Sequence, residues 1–201
     1  MINRPDFSKY LVHFTKNRMP DSEAKSNPAL KYKGKNAKDR LLSILQDKQI
    51  IASTLTTGNN ANATCFTECV WSSLLLHAKR YSCYGIGFSK EFIYKKGGNP
   101  VFYANEEIFD RLIKTEDKPF IALFNPFAKH PIDFSHEREW RLKESLRFNN
   151  ADISFLIVKS QNDLGEFEPF IKKIGVEKVI IMDEYKKIET FWPIHKVYTK
   201  E

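Results

Sequence analysis

Hydrophobic and polar positions along the chain alternate in short runs that predict a mixture of strands and helices. Strand-like runs, rich in β-branched and aromatic residues, lie at residues 10–15, 64–68, 83–89, 101–104, 137–143, 153–159 and 178–183. Apolar residues recur at helical spacing in residues 39–50, 69–80, 90–96, 105–115, 163–175 and 184–192. Residues 120–127 fit either a strand or a helix. These elements predict one α+β domain over residues 1–201, with more strands than long helices.

Length and composition agree with one folded, soluble domain. The chain has 201 residues, of which 42% are hydrophobic, so a disordered chain is excluded. Three cysteines and an N-terminus without an apolar core predict a reducing, cytoplasmic setting with no secretory signal. No run approaches the length of a membrane span, so no membrane partner is expected. The formal net charge of +7 is compatible with a polyanionic partner or with an ordinary basic protein.

Much of the positive charge falls in a long polar segment at residues 16–38, which Pro20, Pro28 and Gly34 interrupt. A loop this long predicts either function or mobility. If it is functional, its cations contact the phosphates of a nucleic acid and Tyr32 stacks on a base. If it is not, it is a solvated loop. The cations are Lys16, Arg18, Lys25, Lys31, Lys33, Lys35 and Lys38.

The cysteines do not predict a metal site. Cys65, Cys69, His77 and Cys83 lack the tight ligand pairs of structural zinc. We therefore expect buried, unreactive cysteines and no bound metal.

The densest polar cluster is the segment EREWR, residues 137–141. In a strand, Glu137, Glu139 and Arg141 share one face, while Trp140 lies on the other. This pattern fits a solvated edge strand. It fits equally a strand that presents a carboxylate to a cleft.

Several short motifs resemble known families in their order along the chain. They are LVHFT (11–15), LLSILQDKQIIAS (41–53), CFTE (65–68), YGIGF (84–88), PVFY (100–103) and EREWR (137–141). Over about residues 10–145 this series resembles the AbiGi-type abortive-infection family and its relatives of unknown function. The first half is also similar to DarT-type ADP-ribosyltransferases, in which a His-x-Thr strand leads into a helix.

The second resemblance implies an ADP-ribosyltransferase-like fold, in which a split, strongly bent, mixed or antiparallel β scaffold grips NAD as cosubstrate and helices lie at its periphery. It implies Glu139 as the catalytic carboxylate and Glu137 as the residue that orients or activates the acceptor. A fixed carboxylate stabilises the positive charge that develops when the glycosidic C–N bond breaks. The residues implied for NAD binding are His13 and Thr15 at a ribose, Thr67 flanked by Phe66 and Tyr84 at the nicotinamide, and Arg141 beside Glu139 or a phosphate.

Three functions remain open at this point. The first is an NAD-dependent ADP-ribosyltransferase of phage defence or of a toxin–antitoxin system, which modifies a nucleic acid or a host protein. The second is a non-catalytic antitoxin or sensor on the same fold, with a toxin as partner, which predicts a blocked cleft and a substantial apolar interface patch. On pattern alone, His13 is a core or edge histidine whose nitrogens are satisfied. The third is a metal-dependent nuclease that uses Glu137 and Glu139 with Asp133 or His136.

Overall fold

The computed structural model describes residues 7–17, 31–32, 34–55, 61–68 and 73–191. Its strands are β1 (Tyr10–Phe14), β2 (Gln49–Ile50), β3 (Ser53–Thr54), β4 (Asn62–Glu68), β5 (Gly85–Ser89), β6 (Asn99–Pro100), β7 (Phe102–Ala104), β8 (Ile121–Leu123), β9 (Glu139–Leu142), β10 (Leu146–Arg147), β11 (Ile153–Val158) and β12 (Val179–Ile181). Its α-helices are α1 (Ala37–Asp47), α2 (Leu74–Arg80), α3 (Lys90–Lys95), α4 (Glu106–Leu112), α5 (Leu164–Ile174) and α6 (Met182–Phe191).

Eight of the described strands form a mixed sheet in the order β12-β11-β5-β1-β4-β9-β6, with β3 paired to β4. Strands β11 and β12 are parallel, and the other neighbours in this sheet are antiparallel. Two small sheets accompany it, β2–β10 and β7–β8. The predicted α+β fold with a mixed sheet is thereby confirmed. No helix in the described part of the chain is long and apolar enough to cross a membrane.

Apolar residues on both faces of the sheet explain why helices cover both. Leu11 and Leu156 pack in one core with residues of α1 and α5, such as Leu41 and Phe167. The neighbouring residues on the same strands turn to a second core, in which Val12 and Ile157 pack against α2 and α6. The strand at 153–158 is therefore buried on both faces, as its continuous apolar run predicts.

The predicted strand at 137–143 is wrong at its beginning. Ser135–Glu137 form a turn of 3₁₀ helix, and Arg138 follows in the left-handed region with φ of 44°. The strand begins only at Glu139. Because a left-handed residue interrupts the alternation, Glu137 does not share a strand face with Glu139 and Arg141. Residues 121–123 of the ambiguous segment are a strand, and the chain turns helical at Met182, so the last predicted strand ends at Ile181.

The sheet opens between β1 and β4. Among the described residues their ladder is limited to two positions, Leu11 opposite Glu68 and Val12 opposite Thr67. Strand β1 continues to pair with β5 as far as Phe14, and β4 continues to pair with β9. The two halves of the sheet therefore separate after Val12, and they leave a gap that polar side chains line.

Helix α1 closes one side of this gap, and its start is fixed by two contacts. The Asn36 side chain accepts a hydrogen bond from the Asp39 backbone N–H at 2.9 Å and caps the helix. The buried Thr15 hydroxyl donates to the Ala37 carbonyl at 2.8 Å. Thr15 therefore ties the end of β1 to the first turn of α1.

Candidate functional site

The gap between β1 and β4 is a cleft with a cavity volume of about 320 Å³. That volume lies at the lower end of the range for small-molecule sites. One wall carries the ends of β1 and β4. The other walls come from α1, from β2 and β3, from the end of α2 and from the segment before β9. Of the residues that the resemblance implies for catalysis or NAD binding, the cleft is lined by His13, Thr15, Phe66, Thr67, Glu137, Glu139 and Arg141.

His13 bridges the two strands where they separate. Its Nδ1 lies 2.9 Å from the Cys65 carbonyl oxygen. Because a carbonyl only accepts, Nδ1 carries the proton and Nε2 is the acceptor of the neutral ring. Burial lowers the pKa of His13, and the Lys16 charge acts in the same direction against the Cys65 hydrogen bond. Among the described residues no hydrogen bond occupies Nε2, so the neutral imidazole can accept one from a ligand hydroxyl.

The register of β4 with β9 decides which side chains meet in the cleft. Thr67 lies opposite Glu139, and Cys65 lies opposite Arg141. Directly opposed residues of an antiparallel pair project from the same face of the sheet, so these four side chains form one polar patch. Trp140 and Phe66 form the next opposed pair and mark the other face. Phe66 is buried against Phe88 in the core, and it also lines the cleft.

Glu139 and Arg141 form a bidentate pair within this patch. The Arg141 Nε and one terminal nitrogen donate to the two Glu139 carboxylate oxygens at 2.9 and 2.8 Å. The other terminal nitrogen donates to the Pro119 and Ile121 carbonyls at 2.9 and 3.1 Å. A planar fork held at four points fixes the carboxylate in one orientation. The Glu139 side chain is 13% exposed and that of Arg141 is 3% exposed, so the carboxylate is the member of the pair that a ligand reaches.

The neighbours of Glu139 keep their protons. Burial, followed by the Glu139 charge, raises the pKa of the Cys65 thiol. Cys65 and Cys83 are half-buried, and not buried as the sequence predicts. Burial raises the pKa of Tyr103 to about 12. Its hydroxyl oxygen accepts the Glu139 backbone N–H at 3.1 Å. Tyr103 therefore supports the backbone of Glu139 and is not itself a base at neutral pH.

Glu137 enters the cleft from its own turn and has a different set of partners. The Tyr81 hydroxyl donates to it at 2.5 Å, and the Arg80 Nε lies 3.1 Å from its other oxygen. The Arg80 guanidinium also lies over the Phe134 ring at 5.0 Å. Burial and the Glu137 hydrogen bond raise the pKa of Tyr81, so its hydroxyl stays a donor. The pair of glutamates therefore offers two carboxylates with separate supports.

Two residues predicted for NAD binding lie elsewhere or are already engaged. The Tyr84 ring stacks on Phe167 of α5 with centroids 6.4 Å apart, and Tyr84 is not among the described residues that line the cleft. Only the backbone carbonyl of Tyr84 turns toward the site, where it accepts from the Thr15 backbone N–H at 3.0 Å. The Thr15 hydroxyl already donates a hydrogen bond to the Ala37 carbonyl, so a structural role explains this residue.

Sequence reasoning missed four residues of the site: Arg80, Tyr81, Tyr103 and Phe134. Arg80 and Tyr81 stand at the end of a predicted helix, where a basic residue followed by an aromatic one is a weak signal. Tyr103 lies in a predicted strand whose partner is not visible from the sequence. Phe134 precedes EREWR by three residues but shares no period with it.

The structure also bears on the basic segment, on Tyr32 and on the predicted metal ligands. Most of the basic segment, residues 18–30 and 33, and Cys69 lie outside the described residues. Tyr32 is buried with 6% exposure, so its ring does not stack on a base at the surface. Within the described part of the chain, no three His, Cys, Asp or Glu side chains group as metal ligands. Of the two further residues that the nuclease hypothesis offers, Asp133 accepts hydrogen bonds from Ser135, and His136 lies 3.2 Å from Arg80.

Comparison with known proteins gives one family. Residues 43–118 match a family described as "Putative abortive phage resistance protein AbiGi, antitoxin". The match confirms the AbiGi resemblance. It links the chain to abortive infection and to toxin–antitoxin systems. The matched segment contains Thr67, Tyr81 and Tyr103 and ends before Glu137. No curated protein and no solved structure matches the chain.

Proposed function

We propose that the protein is an NAD-dependent ADP-ribosyltransferase that acts in phage defence. The observation that carries the proposal is that His13, Thr67 and Glu139 all line the cleft where the two halves of the sheet separate. These three residues come from β1, β4 and β9, which are distant in sequence.

The residues of the cleft suit NAD in charge and in hydrogen-bonding character. The Glu139 carboxylate and the His13 Nε2 are acceptors for ribose hydroxyl groups. Arg141 occupies only part of the lone-pair capacity of Glu139, because a carboxylate has about four acceptor sites. Lys16, Arg40 and Arg80 line the same cleft and supply positive charge for a diphosphate.

In the proposed reaction, the bond between the nicotinamide nitrogen and the ribose C1′ breaks. The electron pair leaves with nicotinamide and neutralises its pyridinium charge. Positive charge then develops on the ribose, and Glu139 stabilises it electrostatically from a fixed position. An acceptor oxygen or nitrogen forms the new bond to C1′, and Glu137 takes the proton that the acceptor loses. Tyr81 and Arg80 hold Glu137 in place for that transfer.

A second candidate function rests on the bidentate pairing of Glu139 with Arg141. In a non-catalytic antitoxin or sensor, that pair is a structural tie between β9 and the Pro119 and Ile121 carbonyls. The description of the matched family as an antitoxin supports this alternative. Its partner is then a toxin protein and not NAD.

Release of nicotinamide from NAD by the purified protein separates the two candidates. We expect turnover by the wild type and a loss of about 10³-fold in Glu139→Gln, the scale of removing a preorganised electrostatic contact. Glu91→Gln is the matched control, because Glu91 is an exposed glutamate paired with Lys95 on α3. Thermal unfolding of each variant verifies the fold. No release by the folded wild type, or equal release by Glu139→Gln, contradicts the transferase.

A further inference from the structure

The Arg80 side chain lies in the cleft, beside the carboxylate that takes the proton in the proposed reaction. Arg80 is the last residue of α2, and it lines the cleft together with Glu137 and Glu139. Its Nε lies 3.1 Å from a carboxylate oxygen of Glu137, and its Nη1 lies 3.2 Å from Nε2 of His136. The guanidinium carbon lies 5.0 Å from the centroid of the Phe134 ring. A guanidinium therefore already occupies the place beside the base where an acceptor has to lie.

This guanidinium keeps one nitrogen available for reaction. The Arg80 side chain is 42% exposed, whereas that of Glu137 is 7% exposed. Nε faces Glu137 and Nη1 faces His136, and no hydrogen bond within the described part of the chain holds Nη2. A guanidinium is not a nucleophile while it keeps all its protons, so a reaction at Nη2 needs a base at the same group. Glu137 supplies that base at contact distance.

The Tyr81 hydroxyl also bonds Glu137, but its ring is held in place by other contacts. The hydroxyl donates to the Glu137 carboxylate at 2.5 Å. The ring stacks on Phe14 with centroids 6.1 Å apart and an interplanar angle of 7°, and the Lys16 Nζ lies 5.0 Å from the Tyr81 centroid. Tyr81 can approach a ligand only by losing these contacts. Arg80 instead carries its guanidinium on a flexible aliphatic chain that can adjust within the cleft.

We propose that the protein modifies itself at Arg80, whose guanidinium accepts the ADP-ribosyl group that the cleft of the same chain transfers from NAD. The inference rests on the proposed function and adds an acceptor to it. The bond between nicotinamide and C1′ breaks, and its electron pair leaves with nicotinamide. One guanidinium proton passes to Glu137, Nη2 forms the new bond to C1′, and the product is again a charged guanidinium. An acceptor that belongs to the chain needs no encounter, which favours it over acceptors that bind from solution.

Peptide mass mapping of the purified full chain after incubation with NAD tests the proposal, with released nicotinamide measured in the same samples. We expect one ADP-ribosyl group per chain, located on Arg80 by fragmentation of the peptide. Arg138 is the matched reference within the same protein, because its side chain is also 42% exposed. It is not among the described residues that line the cleft, and its guanidinium lies 3.8 Å from Glu68, so it should stay unmodified.

Two further measurements separate the internal reaction from random modification. The fraction of chains modified in a given time should stay the same when the protein is diluted about tenfold, because an internal acceptor needs no encounter. In Glu137→Gln, the ratio of Arg80 adduct to released nicotinamide should fall about 10²-fold, the lower end of general-base catalysis. The ratio in Glu91→Gln, a change at an exposed glutamate of α3, should equal that of the wild type. Thermal unfolding of each variant verifies the fold.

The outcomes that overturn the inference differ from those that overturn the transferase. Nicotinamide release with Arg80 unmodified, or with the adduct on Tyr81 or Arg138, refutes the inference alone. A modified fraction that rises with protein concentration, or an unchanged ratio in Glu137→Gln, also refutes it alone. No nicotinamide release by the folded wild type contradicts the transferase, and the inference fails with it.

Discussion

Two buried carboxylate–cation pairs lie near one another on the sheet, and they differ in what they face. Glu68, at the end of β4, pairs with Lys90 of α3 at 2.9 Å. Glu139 and Arg141 form the second pair on the adjacent strand β9. Of the described residues in these two pairs, only Glu139 and Arg141 line the cleft. The two pairs are buried to a similar extent, so burial does not distinguish them.

The difference lies in the surroundings of each pair. Glu68 also accepts the Ser8 backbone N–H at 3.0 Å, and Lys90 lies over the Phe7 ring at 3.5 Å from its centroid. Protein groups therefore surround both members of that pair. Glu139, in contrast, lines the cleft with a side chain that is 13% exposed, and Arg141 occupies only part of its acceptor capacity. A buried ion pair by itself indicates structure, and one that lines a cavity indicates a site.

The largest expected effect comes from breaking the second pair. Arg141→Met leaves Glu139 charged and unpaired and removes the donor to the Pro119 and Ile121 carbonyls. We expect the free energy of unfolding to fall by about 4 kcal/mol, as for other buried pairs broken on one side. Urea denaturation measures this. The control Arg147→Met changes an exposed arginine of β10 and should hardly change the free energy of unfolding. Adding Glu139→Gln to Arg141→Met should restore part of the loss, and no restoration contradicts the pairing.

Breaking the pair of Glu68 and Lys90 should lower the free energy of unfolding somewhat less, and it should leave NAD binding unchanged. In Lys90→Met, Glu68 keeps the Ser8 hydrogen bond and the more distant Arg138 guanidinium, 3.8 Å away. We therefore expect a loss of about 3 kcal/mol in the free energy of unfolding. The affinity for NAD, measured calorimetrically on the folded fraction, should not change. If it falls as far as it does in a variant of Glu139, the contrast between the two pairs is wrong.

A smaller effect is expected from His77, which lies in the core behind the cleft. It stacks on Phe14, and its Nε2 has no partner among the described residues. Burial, followed by the nearby His136 and Arg80 charges, lowers the pKa of His77 to about 4. Between pH 6.5 and 4 the unfolded chain therefore binds a proton that the native protein excludes. The free energy of unfolding should fall by about 2 kcal/mol from pH 7 to pH 5 through this group.

Replacing the titrating ring tests that pH dependence. His77→Phe keeps an aromatic ring against Phe14, so its unfolding free energy should lose about 2 kcal/mol less than the wild type over the same pH range. His130→Gln, a change at an exposed histidine, should follow the wild type. If the unfolding free energies of the wild type and His77→Phe change in parallel with pH, His77 is not the source of the pH dependence.

The sequence predicts the elements of this fold better than their contacts. Strand β1 and helices α1, α4 and α5 follow from periodicity and from caps such as Asn36 and Asn105. Strands of two residues, such as β2 and β3, have no period to detect. The left-handed Arg138 carries no glycine signal, and so the sequence places Glu137 on the wrong element.

Only the family resemblance allowed the residues of the candidate site to be grouped from the sequence. His13, Thr67 and Glu139 were expected together, and the structure places them in one cleft. Their convergence depends on the β4–β9 register and on the early end of the β1–β4 ladder, which no local pattern encodes. The partners of Glu137 come from a distant helix end, where Tyr81 lies 56 residues before it and Arg80 directly precedes Tyr81.

Binding of NAD to the purified protein is the most direct measurement of the central claim, that the cleft beside Glu139 is a dinucleotide site. Isothermal titration of the wild type, of Glu139→Gln and of Lys90→Met should give one site per chain in the wild type and in Lys90→Met. Glu139→Gln should bind NAD about tenfold or more weakly, because a charged acceptor for a ribose hydroxyl is lost. Absence of NAD binding by the folded wild type, or equal affinity in all three proteins, contradicts the account.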